Sequence, residues 1–140
     1  MYSKSATDLG KMLSNFYRFP ICTSDGKFLS VEGYWYWLSI DDAVKEKEEL
    51  RNLSGFEAKN RGKQILNETN DGKISRFDPE FENKILKAIW YKFRRNTNLL
   101  TTENRRLPIV HYYCYGEKIV DRTDKYQWLI DGITKMRDYL

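Results

Sequence analysis

The stretch LSNFYRFPICTSDGKFLSVEGYWYW, residues 13–37, combines a polar turn, a hairpin signal and an aromatic segment. Ser24–Gly26 is a typical turn sequence, so we predict short strands on either side of it. Ser30 is a good N-cap and predicts a helix from Val31 to about Ile40. We expect the rest of the chain to be organised around this stretch.

Glu32 is the one carboxylate of the predicted aromatic helix, where it would share a face with Tyr36 and Ser39. Burial would raise the pKa of Glu32 and suit it to proton transfer or to facing a cationic transition state. A solvated glutamate on a helix whose other face is core is the commoner situation, because most Glu residues are exposed.

Apolar periodicity predicts further helices at about 41–53, 55–66, 79–95 and 124–137. Asp78-Pro79 supplies the N-cap and first residue of the third of these. A strand is predicted at 108–115 and a polar loop at 67–75, while residues 1–10 show no strong pattern. The predicted fold class is mainly α with a small β component (α+β).

Composition limits the class of protein. The 140 residues suit one domain, residues 1–140. No apolar run is long enough to span a bilayer and no signal peptide opens the chain, so we expect no membrane association and a cytoplasmic location. Cys22 and Cys114 lack CxxC spacing, and His111 is the one histidine. We therefore expect no metal and no other cofactor.

Several short motifs recur in a recognisable order. LSNF at 13–16 is followed by SVE at 30–32, GFEAK at 55–59 with RG at 61–62, and KF at 92–93 with Asn96 and Leu99. This order resembles the NADAR (YbiA-like) family, whose patterns are LSNF, S-x-E, eAk-x-x-G and KF-x-x-N-x-x-L. The resemblance extends from about residue 10 to about residue 137 and implies a single NADAR-like domain.

NADAR relatives cleave N-glycosidic bonds to ribose, in ADP-ribose attached to a base or in phosphoribosylated intermediates of riboflavin metabolism. The resemblance thus implies a divergent N-glycosidase whose partner is a small nucleotide or an ADP-ribosyl ligand. Such a bond breaks through an oxocarbenium-like transition state, which a carboxylate can stabilise or for which it can activate water. Glu32 would have that role.

The resemblance also implies a set of substrate-binding residues. Polar residues would contact ribose, phosphate or the leaving base, and aromatic residues would wall the pocket and stack on a planar base. These are Asn15, Lys92 and Asn96 in the first group and Phe16, Trp35 and Tyr36 in the second. Core packing is the alternative for Trp35, and a snorkelling helix lysine is the alternative for Lys92.

The chain departs from the family pattern in two parts of the sequence, just after Glu32 and near His111. The family's His after the glutamate is Gly33 here, its Gln four residues on is Tyr36, and its Lys seven residues on is Ser39. The family's second acidic position falls at or near His111, which is therefore the other catalytic candidate, since histidine titrates near neutral pH. The positions of this chain that match the family pattern do not supply a pair of catalytic carboxylates.

Different functions therefore stay open. Glu32 favours the N-glycosidase. The lost family residues favour a catalytically inactive protein that binds a nucleotide or a protein partner in the same pocket, and viral and mobile-element relatives connect this with conflict over NAD-derived signals. Nucleic-acid binding by Arg94-Arg95 and Arg105-Arg106 is less favoured, because such pairs usually form a solvated face of a protein of modest net charge, here +4. The oligomeric state is left open.

Overall fold

The computed structural model describes Ser5 and residues 7–69, 78–110, 112–115, 118–121 and 126–140. The fold there is mainly helical with two small antiparallel hairpins, which confirms the predicted α+β class. None of the described helices is long and apolar enough to cross a membrane. The elements are α1 (Asp8–Leu13), β1 (Ile21–Thr23), β2 (Gly26–Phe28), α2 (Val31–Ser39), a 3-10 helix (Lys45–Asn52), α3 (Gly55–Thr69), α4 (Pro79–Arg94), a second 3-10 helix (Thr97–Leu99), β3 (Tyr112–Tyr115), β4 (Lys118–Asp121) and α5 (Gln127–Tyr139).

Helix α2 lies at the centre of the core. Each of its residues is buried except Glu32, as is required of a helix that is apolar nearly all round. It packs against α3, α4 and the first 3-10 helix. The Trp35 ring contacts Phe81 of α4 and Trp128 of α5, with ring centroids 4.8 and 6.0 Å apart. The fold is thus organised around the aromatic segment quoted above.

Both predicted helix caps are confirmed. The Ser30 side chain accepts a hydrogen bond from the Gly33 N–H at 3.1 Å, and its hydroxyl donates to the Leu53 carbonyl at 2.9 Å. The start of α2 is therefore fixed to the end of the first 3-10 helix. Asp78 accepts from the Glu80 N–H at 2.8 Å, with a proline directly after the cap.

The predicted turn at Ser24–Gly26 is confirmed as well. Strands β1 and β2 pair antiparallel, with Ile21 opposite Phe28 and Thr23 opposite Gly26. Gly26 has φ of 108°, a conformation that residues with a Cβ rarely adopt. The hairpin carries the buried Phe28 ring into the core, 4.6 Å from the ring of Tyr34.

The helix predicted at 41–53 is wrong in extent and in type. Only Lys45–Asn52 is helical, and it is a 3-10 helix. The Asp41 side chain accepts a hydrogen bond from the Ala43 N–H at 2.8 Å. This local bond holds the chain in a turn and competes with helix formation.

Three other boundaries also differ from the prediction. Helix α1 was not predicted, although the Thr7 side chain accepts from the Gly10 N–H at 3.0 Å as an N-cap. Helix α3 continues to Thr69, past the predicted start of the loop, and the remainder of that loop at 70–75 lies outside the described residues. The predicted strand at 108–115 is reduced to Tyr112–Tyr115, which pairs with an unpredicted strand, Lys118–Asp121.

Candidate functional site

The turn Ser14–Phe16 brings Glu32 and Lys92 to neighbouring peptide groups. The backbone N–H of Glu32 donates to the Asn15 carbonyl at 2.9 Å. The Nζ of Lys92 donates to the Ser14 carbonyl at 3.0 Å. The backbone of one motif residue and the side chain of another, which are far apart in the sequence, thus donate hydrogen bonds to the same turn.

Glu32 lies in the first turn of α2 and is partly exposed. A negatively charged side chain near a helix N-terminus interacts favourably with the helix dipole. With the backbone of Glu32 fixed to Asn15, the start of its side chain is fixed as well. Glu32 is thus a partly exposed acidic residue whose backbone is held against the Ser14–Phe16 turn.

Phe16 of this turn and Phe56 of α3 form a pair of aromatic rings, which we call the aromatic edge. The rings of Phe16 and Phe56 meet edge to face, with centroids 4.9 Å apart, and Phe56 is 61% exposed. The Nζ of Lys59 is 6.0 Å from the centroid of the Phe16 ring. Phe56 and Lys59 were not predicted as site residues, although a large apolar residue on the outer side of a helix N-terminus is a signal of a contact surface.

Lys92 does not reach the surface. Its side chain is fully buried, and burial lowers the pKa of its ammonium to about 7. Its Nζ lies behind the turn, bonded to Ser14 and 5.9 Å from the centroid of the Tyr17 ring. We therefore assign Lys92 to holding the turn and not to touching a ligand.

The remaining predicted residues have mixed positions. Trp35 is 6% exposed and packs in the aromatic core, and Tyr36 is 5% exposed. Asn96 is partly buried and donates from Nδ2 to the Lys92 carbonyl at 2.8 Å, which completes the end of α4. Asn15 is partly exposed on the turn, and His111 lies outside the described residues.

Two glycines explain departures from the NADAR pattern. A Cβ at Gly33 would strike the carbonyl oxygen of Leu50 in the first 3-10 helix. The family's histidine therefore has no room at this position. Gly62 of α3 lies directly against the ring of Tyr36 of α2. The bulky tyrosine that replaces the family's glutamine is accommodated by the missing side chain at Gly62.

Gly62→Ala should therefore destabilise the protein, although alanine is the better helix former. The added methyl group meets the Tyr36 ring, and overpacking of this kind costs about 1–3 kcal/mol. Lys63→Ala, at an exposed position of the same helix, is the control and should change stability little. Urea unfolding of both variants measures the effect, and equal stability of Gly62→Ala and wild type would contradict the tight contact.

A cavity of about 550 Å³ lies elsewhere, between β1 and α4. Polar and apolar groups line it in equal measure, and the lining includes Cys22, Thr23, Tyr34, Glu80, Lys84 and Lys87. Asp25, beside it, accepts hydrogen bonds from the Tyr34 hydroxyl at 2.7 Å and from Lys84 Nζ at 3.1 Å. Burial and the bond to Asp25 raise the pKa of Tyr34. None of the predicted site residues lines this cavity, so Glu32 does not face it.

Comparison of the chain with protein-family models, with curated proteins and with solved structures finds no match. The chemistry of the site therefore rests on the groups gathered around the Ser14–Phe16 turn. These are the partly exposed Glu32, the rings of the partly exposed Phe16 and the exposed Phe56, and the nearby Lys59. Together they suit a ligand that has a cationic or electron-poor centre, a planar base and phosphate groups.

Proposed function

We propose that the protein is an N-glycosidase that acts on a ribosyl nucleotide, with base-linked ADP-ribose as the substrate class. The observation that supports it most is the pair of hydrogen bonds from Glu32 and Lys92 to neighbouring carbonyls of the Ser14–Phe16 turn. These bonds join residues from three of the sequence motifs that resemble the NADAR family.

Glu32 is the catalytic carboxylate in this proposal. The bond between the anomeric carbon and the base nitrogen breaks, and the electron pair leaves with the base. The ionised Glu32 faces the oxocarbenium-like carbon and accepts the proton of the attacking water. The hydrogen bond from the Glu32 N–H to the Asn15 carbonyl fixes the backbone from which this side chain extends.

The aromatic edge formed by Phe16 and Phe56 supplies the binding surface. An exposed ring such as Phe56 can stack on the base, because aromatic pairs gain more than their buried area alone provides. Lys59 adds a cation beside Phe16, where it can meet the pyrophosphate of an ADP-ribosyl group.

Binding without turnover is the second candidate. Of the predicted site residues that the structure describes, Glu32 is the only charged one that is not buried, since Lys92 lies inside. One carboxylate is enough to bind a ligand, whereas most glycoside hydrolases use a pair of carboxyl groups. The same surface would then sequester a nucleotide or hold a protein partner.

A ligand panel followed by product analysis tests both candidates. We expect ADP-ribose to raise the melting temperature more than NAD, cyclic ADP-ribose or phosphoribosyl flavin precursors do, and base-linked ADP-ribose to be split into free base and ADP-ribose. Phe56→Ser should weaken ADP-ribose binding about fivefold, because one stacking contact is lost. Leu107→Ser is the matched control, since Leu107 is an exposed apolar residue outside the site.

Chromatography of the reaction mixture separates the outcomes. Release of both products supports the glycosidase. Tight binding without release supports the sequestering protein. Absence of binding to every member of the panel, with the protein folded by circular dichroism, overturns both.

A further inference from the structure

The C-terminal half of α4 is cationic on its outward side. Between Asn83 and Thr102 the charged side chains are all basic: Lys84, Lys87, Lys92, Arg94 and Arg95. Lys92 points into the core, whereas Lys87, Arg94 and Arg95 are exposed. This half of the helix therefore carries positive charge, whereas the acidic residues of α4, Glu80 and Glu82, lie in its first turn, where Glu80 pairs with Lys84.

Aromatic rings alternate with these cations. The Arg94 guanidinium lies 5.8 Å from the centroid of the Trp90 ring, and the Arg95 guanidinium lies 3.5 Å from that of Tyr91. Tyr139 of α5 meets the Trp90 ring edge to face at 5.6 Å while 81% of it stays exposed. Rings and guanidinium planes are thus presented together on one surface, which we call the α4 face.

We propose that the α4 face binds single-stranded nucleic acid. Proteins bind such strands by combining cations along the backbone with planar side chains on which bases stack, and guanidinium planes also accept stacked bases. Lys87 and Arg94 are separated by about 10 Å along the helix axis, which spans a few nucleotides. An acidic peptide would use the cations but would leave Trp90, Tyr91 and Tyr139 without a role.

The cavity between β1 and α4 extends this surface. Lys87, Thr23, Ser24 and Asn83 line it, together with Glu80 and with Lys84, which is ion-paired with Asp25 and Glu80. The cavity therefore offers the ammonium group of Lys87 beside hydroxyl, amide and carboxylate groups. Its volume of about 550 Å³ is within the range of pockets that hold small ligands. A nucleotide at the end of the bound strand can enter it, with its phosphate on Lys87. This site requires neither Glu32 nor the Phe16–Phe56 edge, so it is independent of the proposed glycosidase.

Fluorescence anisotropy with a labelled twelve-nucleotide oligothymidine tests the proposal. Contacts to three phosphates predict a slope of about −2 for the logarithm of the binding constant against the logarithm of salt concentration. Arg94→Gln/Arg95→Gln should weaken binding at low salt at least tenfold and reduce the slope to about −0.7. Tyr139→Ala should weaken binding about tenfold at every salt concentration, because stacking does not release counterions.

Lys45→Gln/Lys63→Gln is the matched control. Both lysines are exposed and lie on the first 3-10 helix and on α3, so the charge change is the same but off the α4 face. This control and Glu32→Gln should bind the oligonucleotide as wild type does.

The proposal is overturned by no binding at low salt, or by equal losses in the two double variants. It is also overturned if polyglutamate or anionic vesicles bind as tightly as the oligonucleotide and Tyr139→Ala has no effect. That result would mark a general polyanion surface. Circular dichroism of each variant shows that it is folded before binding is compared.

Discussion

Glu32→Gln should lower the turnover of base-linked ADP-ribose by about 10²–10⁴-fold, the range typical for removal of a general acid–base group. Glutamine keeps the size of the side chain and one acceptor oxygen. It removes the negative charge that faces the oxocarbenium-like carbon, and it cannot take the proton from water. Because the contact of Glu32 with the turn is made by its backbone N–H, the substitution leaves that hydrogen bond in place.

Initial rates by chromatography and affinity by calorimetry make this test specific. We expect the rate to fall while the affinity for ADP-ribose and the melting temperature change little. Glu103→Gln removes an exposed carboxylate far along the chain and should leave the rate unchanged. Near wild-type turnover of Glu32→Gln would exclude Glu32 as the catalytic group, and a parallel loss of stability would assign it a structural role instead.

The sequence predicts the local features of this fold well. Ser30 and Asp78 are caps because their short side chains reach a nearby backbone N–H, and Gly26 provides the positive φ that the hairpin turn requires. These interactions involve residues within three positions of each other. The spacing of apolar residues along α4 is also a signal between nearby residues. Both ends of this helix were predicted to within about one residue.

The environment of the site depends on contacts between distant residues, and sequence spacing does not determine it. Lys92 could as well have snorkelled to the surface, but its helix is rotated so that the ammonium meets the Ser14 carbonyl. The pairing of Phe16 with Phe56 joins a turn to a helix that begins much later. Only the three-dimensional packing of α2, α3 and α4 brings these groups together.

Packing also accounts for residues that differ from the NADAR pattern. The backbone of the 3-10 helix occupies the space beside Gly33, and the Tyr36 ring occupies the space beside Gly62. This side of α2 is therefore closely packed. Glu32 is the one residue of α2 that is not buried, and its backbone N–H donates to the Ser14–Phe16 turn.

Lys92→Met should increase the free energy of unfolding at pH 6 by a few kcal/mol, and this advantage should shrink as the pH rises. The pKa of the buried Lys92 is about 7, against about 10.4 for an unfolded lysine. Below pH 7 both states carry the proton, so the folded state bears the full cost of burying the charge. Between pH 7 and about 10 only the unfolded state stays protonated, and wild-type stability rises by up to about 1.4 kcal/mol per pH unit.

Urea unfolding of wild type and Lys92→Met at pH 6, 7, 8 and 9 measures the difference between their free energies of unfolding. The titration of all other groups is common to both proteins and cancels in that difference. Methionine has a similar length, and the Ser14 carbonyl keeps the hydrogen bond that it accepts from the Tyr17 N–H at 3.1 Å. Lys87→Met, on the exposed face of the same helix, should show no such pH dependence. A constant difference between wild type and Lys92→Met would mean that Lys92 stays charged in the fold. Convergence of the two curves above pH 7 would instead show that the turn carrying Asn15 is held by a lysine that loses its charge near neutral pH.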